Sequence, residues 1–329
     1  MDKTRFGILG FAHMHAHGYA RALKKSPDAD LVGIFDDDRA RGRGAATEYG
    51  VGYFDDPEKL LRDDIDAVIV CSPNSKHADL AIRAAESGKH VLCEKPIAAT
   101  LEDANDMVRA ARSSGVILEI AFVMRYSAPV LRVKDLLDQG VVGEILAMRG
   151  ANRGKMPEGW FLDIEKAGGG AVMDHTVHLV DLMRWFTTSE VIEVYADMDT
   201  LLHDIAVEDC GLLALQFQSG AIASLDPSWS RPAKYPQWGD VTMEILGGDG
   251  SLYLDAFNQN VYLCSDKGVC WSNWGEDTDS EMVGDFIHCV THNAEPRSTG
   301  EDGLRSLEIA LAAYRSAKEK RVIKLPLEG

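Results

Sequence analysis

Over roughly the first 120 residues, short and largely apolar runs alternate with longer runs of helical spacing, and nothing else in the sequence narrows the fold as much. The runs Arg5–Gly10, Leu31–Phe35, Ala67–Cys71, His90–Cys93 and Ile117–Val123 are strand candidates, and helices are predicted near His15–Lys25, Arg39–Tyr49, Lys76–Ser87 and Leu101–Ser114. A strand with one wet face alternates apolar and polar residues, whereas a strand apolar throughout is covered on both faces. Covered strands separated by helices build a doubly wound parallel sheet with right-handed crossovers.

Beyond Val123 the pattern changes. A helix is predicted at Pro129–Gln139, a strand at Glu144–Asn152, and a second helix at Val172–Phe186, opened by Gly168-Gly169-Gly170. Five strand candidates follow without intervening helices: Val191–Asp197, Gly211–Gln218, Ala221–Asp226, Val241–Gly247 and Ser251–Asp255. Strands joined by short turns form an antiparallel or mixed sheet. Helices near Glu281–His292 and Gly303–Lys320 and a short strand in Arg321–Leu327 close the chain. The expected fold class is α/β, with a nucleotide-binding domain at 1–122 and an α+β domain with a large, mainly antiparallel sheet at 123–329.

Composition bears mainly on partners. With 34 Lys and Arg against 52 Asp and Glu the net charge is −18, which disfavours nucleic acid and anionic membrane as partners. A negatively charged cofactor stays compatible, because backbone N–H groups can hold phosphate. Cys71, Cys93, Cys210, Cys264, Cys270 and Cys289 form no C-x-x-C pair, as in a reduced, cytoplasmic chain. No apolar run approaches membrane-spanning length, and Met1-Asp2-Lys3 leads into the first strand with no signal peptide expected.

Ligands of a doubly wound sheet sit beyond the carboxyl ends of its strands. The turn Gly10-Phe11-Ala12-His13 follows the first strand, where a dinucleotide's pyrophosphate would rest. The G-x-G-x-x-G fingerprint is degenerate there, its three positions holding Gly10, Ala12 and His15, so an ordinary tight turn is the equal alternative. Asp36 ends the second strand, where a carboxylate accepts hydrogen bonds from ribose hydroxyls and repels a 2′-phosphate. NAD is therefore expected over NADP, a preference that Arg39 and Arg41 blur; a solvated turn with Asp37 or Asp38 capping the next helix is the plainer reading of the acidic run. His13, His15 and His17 do not share a helix face and have no Cys or carboxylate beside them in sequence, so no metal is expected.

Two segments carry candidate chemistry. Cys93-Glu94-Lys95-Pro96 ends a buried strand, and the Lys95 ammonium there can hold a substrate hydroxyl and stabilise an alkoxide, although a surface lysine after a strand is the commoner case. In Gly168–Asp181, Asp174 and His178 are four apart on a predicted helix and share a face, with Asp181 near His178. The imidazole can take a proton near neutral pH, and the triple glycine allows a substrate close to the helix start.

In Glu94-Lys95-Pro96, in Gly168–Asp181, and in the order of the two domains, the chain resembles the glucose–fructose oxidoreductase / inositol dehydrogenase family, Gfo/Idh/MocA. The resemblance covers nearly the whole chain. It implies a Rossmann domain before a mixed-sheet domain, His178 as acid/base, Lys95 on the reacting hydroxyl and Asp174 on the substrate. It implies oxidation or reduction of a sugar, inositol or polyol with NAD or NADP, and a homodimer or homotetramer formed through the second sheet. Ser72, Pro73, Asn74 and Glu94 become neighbours of the cofactor, and His175 is a further substrate contact; Arg125, Tyr126 and Trp160 are candidate pocket residues, with ordinary packing and surface charge as the equal alternative. The chain departs from the family at Ala12 and His15. An NAD-dependent glycoside hydrolase working by transient oxidation, and a non-enzymatic nucleotide-binding regulator, are the alternative functions.

Overall fold

The computed structural model describes residues 3–257, 260–265, 268–273 and 277–327, with side chains left aside between 258 and 276. The chain divides into two compact units: Met1–Val123 with Asp277–Leu304, and Met124–Glu276 with Arg305–Gly329.

In the first unit, strands β1 (Thr4–Leu9), β2 (Ala29–Phe35), β3 (Gly52–Phe54), β4 (Ala67–Val70), β5 (His90–Cys93) and β6 (Leu118–Ile120) form one sheet in the order β3-β2-β1-β4-β5-β6. Every pairing in it is parallel. This is the doubly wound order, whose direction reverses between β1 and β4 and leaves a crevice at their carboxyl ends. Helices α1 (His15–Lys25), α2 (Arg39–Tyr49), α3 (Pro57–Leu61), α4 (His77–Glu86) and α5 (Leu101–Ser114) make the connections. Phe6, Ile8, Val68, Ile69, Val91 and Leu92 are fully buried, as expected of largely apolar strands. Asp38 caps α2, accepting from the amides of Ala40 and Arg41.

The second unit begins with α6 (Ala128–Asp138), β7 (Ile145–Lys155), α7 (Ile164–Ala167) and α8 (Ala171–Thr187). It continues through β8 (Val191–Asp199), β9 (Cys210–Phe217), β10 (Ile222–Arg231), β11 (Gly239–Gly247) and β12 (Ser251–Asp255), then the hairpin β13 (Asn260–Ser265) and β14 (Gly268–Asn273). The helices α9 (Thr278–His292) and α10 (Gly300–Glu319) and the strand β15 (Ile323–Lys324) end the chain. Seven strands form one mixed sheet, β12-β11-β7-β10-β9-β8-β15, parallel only where β10 meets β7. Helix α8 covers one face of this sheet, packing on β7, β10 and β9. Among the described residues no helix is long and apolar enough to cross a membrane.

The reading of 123–329 as one block is corrected by the structure. Residues 277–304 return to the first unit, where the Phe286 ring of α9 meets Phe6 of β1 at 6.0 Å. Ser298 then exchanges bonds with Ile120, its hydroxyl donating at 2.6 Å and its carbonyl accepting at 3.2 Å. An apolar helix stripe in the sequence says that the helix is covered, not which sheet covers it. The strand β3 and the hairpin β13–β14 were also not expected.

Candidate active site

In the first unit the chain leaves β1 through Gly10 at φ +98°, where a Cβ would lie 2.8 Å from the Ser72 nitrogen. Only glycine fits so tight and left-handed a turn. The turn is pinned on both sides: Gly10 N–H donates to Phe35 O at 2.8 Å, and His13 N–H to Cys71 O at 3.1 Å. Phe11 turns inward from this turn. Its N–H donates to Asp36 Oδ2 at 2.6 Å, and its ring is buried against His17 and Tyr49, so neither is offered to a phosphate.

Asp36 is buried at the end of β2, as its position in sequence predicts, but its four acceptor positions are taken. Oδ2 accepts from Phe11 N–H and from Arg41 Nε at 2.9 Å; Oδ1 accepts from Asp38 N–H and from an Arg41 terminal nitrogen, each at 2.7 Å. A carboxylate offers about four lone-pair sites, so a ribose would have to displace the Arg41 fork.

Glu94 gathers groups that sequence reasoning kept apart. Its Oε1 accepts from Tyr19 Oη at 2.5 Å and lies 2.9 Å from His15 Nδ1 and 3.9 Å from His13 Nδ1; its Oε2 accepts from Lys95 N–H at 3.1 Å. Burial alone would raise the Glu94 carboxyl, but His13 and His15 outweigh it and hold it well below the usual range. Burial would lower His15, and Glu94 reverses that, so the His15 imidazole is raised. His13, His15 and Glu94 lie close enough to share a metal ion, so a carboxylate does join these histidines in space. Within the cluster His13 Nδ1 accepts from His15 N–H at 3.2 Å.

Lys95 is only 5% exposed, at the carboxyl end of β5, with Ser72 and Asn74 buried in the loop after β4. His77, fully buried, ties these segments together: its ring nitrogens lie 2.9 Å from Pro96 O and 3.0 Å from Ser72 O. Burial lowers the His77 imidazole. Its role was missed because its partners are backbone carbonyls, which no side-chain pattern marks.

In the second unit α8 carries Asp174, half-buried, with His175 and His178 buried. Asp174 and His178 share a helix face by their spacing. Asp181, expected beside His178, instead receives both arms of Arg125, at 2.7 and 2.6 Å. Arg125 is thus half of a buried fork, stacked over Trp185 at 5.3 Å. Tyr126 is buried, and Trp160, half-buried, stacks on Phe161 at 4.0 Å. The His175 ring is held within the unit, with Nδ1 2.9 Å from Asn152 O and Nε2 3.2 Å from Asp174 Oδ2.

The glycine run is explained by protein rather than by a ligand. A Cβ on Gly169 would meet the Tyr314 hydroxyl, and one on Gly170 would meet the Glu208 carbonyl. The Glu208 carboxylate caps α8 in place of a local side chain, Oε1 accepting from Gly170 N–H at 2.8 Å, Val172 N–H at 3.0 Å and Tyr314 Oη at 2.6 Å. Burial raises the Glu208 carboxyl against these bonds, and both burial and Glu208 raise the Tyr314 phenol.

A doubly wound parallel sheet with a glycine turn after its first strand is the architecture of a dinucleotide-binding domain. Residues 4–122 match the oxidoreductase-family NAD-binding Rossmann fold, and residues 130–253 the GFO/IDH/MocA C-terminal domain. The chain is 31% identical to myo-inositol 2-dehydrogenase of Thermotoga maritima, with 98% of each chain covered. It is 32% identical to 1,5-anhydro-D-fructose reductase of Ensifer adhaerens, over 95% of this chain and 96% of that one. Its fold is similar to that of GenD2 from gentamicin A biosynthesis in complex with NAD, with TM-score 0.91 and 26% identity over 99% of this chain and 97% of the other. The protein belongs to the Gfo/Idh/MocA family and is an NAD(P)-dependent dehydrogenase acting on CH–OH groups.

Proposed function

We propose that the protein transfers a hydride between NAD and a secondary alcohol of a sugar, inositol or related polyol. The burial of Lys95 carries this reading: a lysine 5% exposed at the carboxyl end of a doubly wound strand is not an ordinary surface lysine. Its ammonium binds the reacting hydroxyl and stabilises the alkoxide as charge develops on oxygen. His178 takes or returns the hydroxyl proton, and Asp174 holds the substrate. Nicotinamide, when bound, accepts or gives the hydride. Relatives named for inositol and anhydro-sugar chemistry support the substrate class.

The nucleotide fits the first unit at Gly10, Ala12, His13, Ser72, Pro73, Asn74 and Glu94. NAD is preferred over NADP because the Asp36 charge repels a 2′-phosphate, with the Arg41 side chain, 38% exposed, turning aside for the ribose. The open face of the second sheet exposes Tyr195, Leu212, Ile222, Leu246 and Tyr253, and supports a homodimer or homotetramer. Free thiols at Cys71, Cys93, Cys210 and Cys289 fit the reducing cytoplasm.

The test is a panel of sugars, inositols and sugar acids with NAD and with NADP, following reduced nicotinamide. We expect turnover of at least one polyol, faster with NAD, and a loss of at least about a hundredfold in kcat for Lys95→Ala. An unimpaired Lys95→Ala enzyme rejects the role of Lys95. Cleavage of a chromogenic glycoside without net cofactor reduction points to the hydrolase instead, and tight NAD binding with no turnover across the panel to the regulator.

A further inference from the structure

Asp174 is held from two sides, by His175 beside it on α8 and by Trp229 on β10. The first is His175. Its Nδ1 lies 2.9 Å from the Asn152 carbonyl oxygen, which can only accept, so Nδ1 carries the hydrogen. That fixes the ring and turns Nε2 toward Asp174 Oδ2, 3.2 Å away. Asn152 is fully buried, and the ring packs so closely on Gly154 that a Cβ there would sit 2.8 Å from His175 Cε1.

The second group is Trp229. Its indole Nε1–H, a donor only, reaches the same Oδ2 at 3.3 Å from strand β10. Trp229 is 1% exposed, packed on Ala171 and Val207 with Met156, Leu162 and Ile205 around them. Its own N–H donates to Asp209 O at 2.8 Å, anchoring it to a loop folded on the buried Asp209 carboxylate. A ring fixed this firmly has little freedom to follow a carboxylate that moves.

We propose that His175 and Trp229 are positioning residues that hold Asp174 in a single orientation for the substrate, with Asn152 setting the His175 ring. This rests on the reading above that Asp174 meets the substrate. Neither residue touches the reacting carbon. They act by removing the rotational freedom of the carboxylate before the substrate arrives, so that binding does not have to supply that ordering.

The experiment uses the full-length enzyme with NAD and whichever polyol of the panel it turns over fastest. Asp174→Asn is the benchmark, and we expect it to lose at least about a hundredfold in kcat/KM. His175→Leu and Trp229→Phe, each removing one polar contact to Asp174 Oδ2, are expected to lose about tenfold or more. His175→Gln, which returns an N–H donor at a similar reach, is expected to recover most of that loss. The KM for NAD is expected to stay unchanged in all four. Wild-type kcat/KM in both His175→Leu and Trp229→Phe beside an inactive Asp174→Asn overturns the positioning role alone. A loss that His175→Gln does not recover, and that tracks a lowered melting temperature, also overturns it. An active Asp174→Asn removes the role of Asp174 itself, and the positioning role falls with it. Should His175→Leu not fold, Trp229→Phe and His175→Gln decide.

Discussion

Asp279 is a carboxyl placed where ionisation is costly. It sits in the first turn of α9, so close to α1 that a Cβ on Gly18 would collide with its Oδ2. Burial is the main reason its pKa is pushed up to about 6; His15 pulls the other way, and Glu94 and Asp277 add repulsion. A folded-state value above the ordinary one means that the folded protein holds the proton over a window in which the unfolded chain has lost it. Stability from this group is therefore complete below about pH 4 and is lost as the pH rises through about 6. Two pH units correspond to roughly 3 kcal/mol at most. We expect Asp279→Asn to be more stable than the parent at pH 7, by roughly 2 kcal/mol, with the gain vanishing near pH 4. Urea unfolding at the two pH values checks this; the same difference at both would contradict it.

At the scale of elements, α8 depends on a cap from elsewhere in the chain. Its N-cap, Gly170, has no side chain, and Glu208 and Tyr314 satisfy the first amides instead. Removing such a cap costs about 1–2 kcal/mol, and removing one hydroxyl hydrogen bond about 1 kcal/mol. Glu208→Ala is thus expected to lower the thermal midpoint more than Tyr314→Phe, with loss of helical circular dichroism as the readout. Equal midpoints in Glu208→Ala and the parent would show that water replaces the cap at no cost.

The same helix shows what could be read in sequence. Asp174 and His178 were legible because a spacing of four is a local property of a helix. Arg125 was not, because its partner Asp181 lies 56 residues on, and neither were Trp229, 55 residues from Asp174, or Tyr314, 144 from Gly170. The buried strands β1, β2, β4 and β5 stood out because they are apolar on both faces. The strand β3 did not, being three residues long, at the sheet edge and incompletely buried. Glycines 169 and 170 were noticed for a real reason, a close approach, but sequence could not say that protein atoms make it.

For the whole molecule, the open face of the second sheet and the charge of −18 act against each other. The exposed side chains Leu212 and Ile222 belong to the neighbouring strands β9 and β10 and lie on this same open face. Self-association through that surface brings like-charged chains together, so salt is expected to strengthen it by screening. Light scattering is expected to give a dimer or tetramer for the parent, more completely at higher ionic strength, and a monomer for Leu212→Glu with Ile222→Glu. A parent that stays monomeric at micromolar concentration, whatever the salt, would remove the oligomer.

The return of residues 277–304 to the first unit has a consequence for how the protein is made. On the ribosome, β1 through β6 emerge early, yet Phe6 waits for Phe286, and Ile120 waits for Ser298. The nucleotide-binding unit is unfinished until residue 304 of 329 has been translated. Until then its nascent sheet lacks that cover, an interval in which chaperones can engage it.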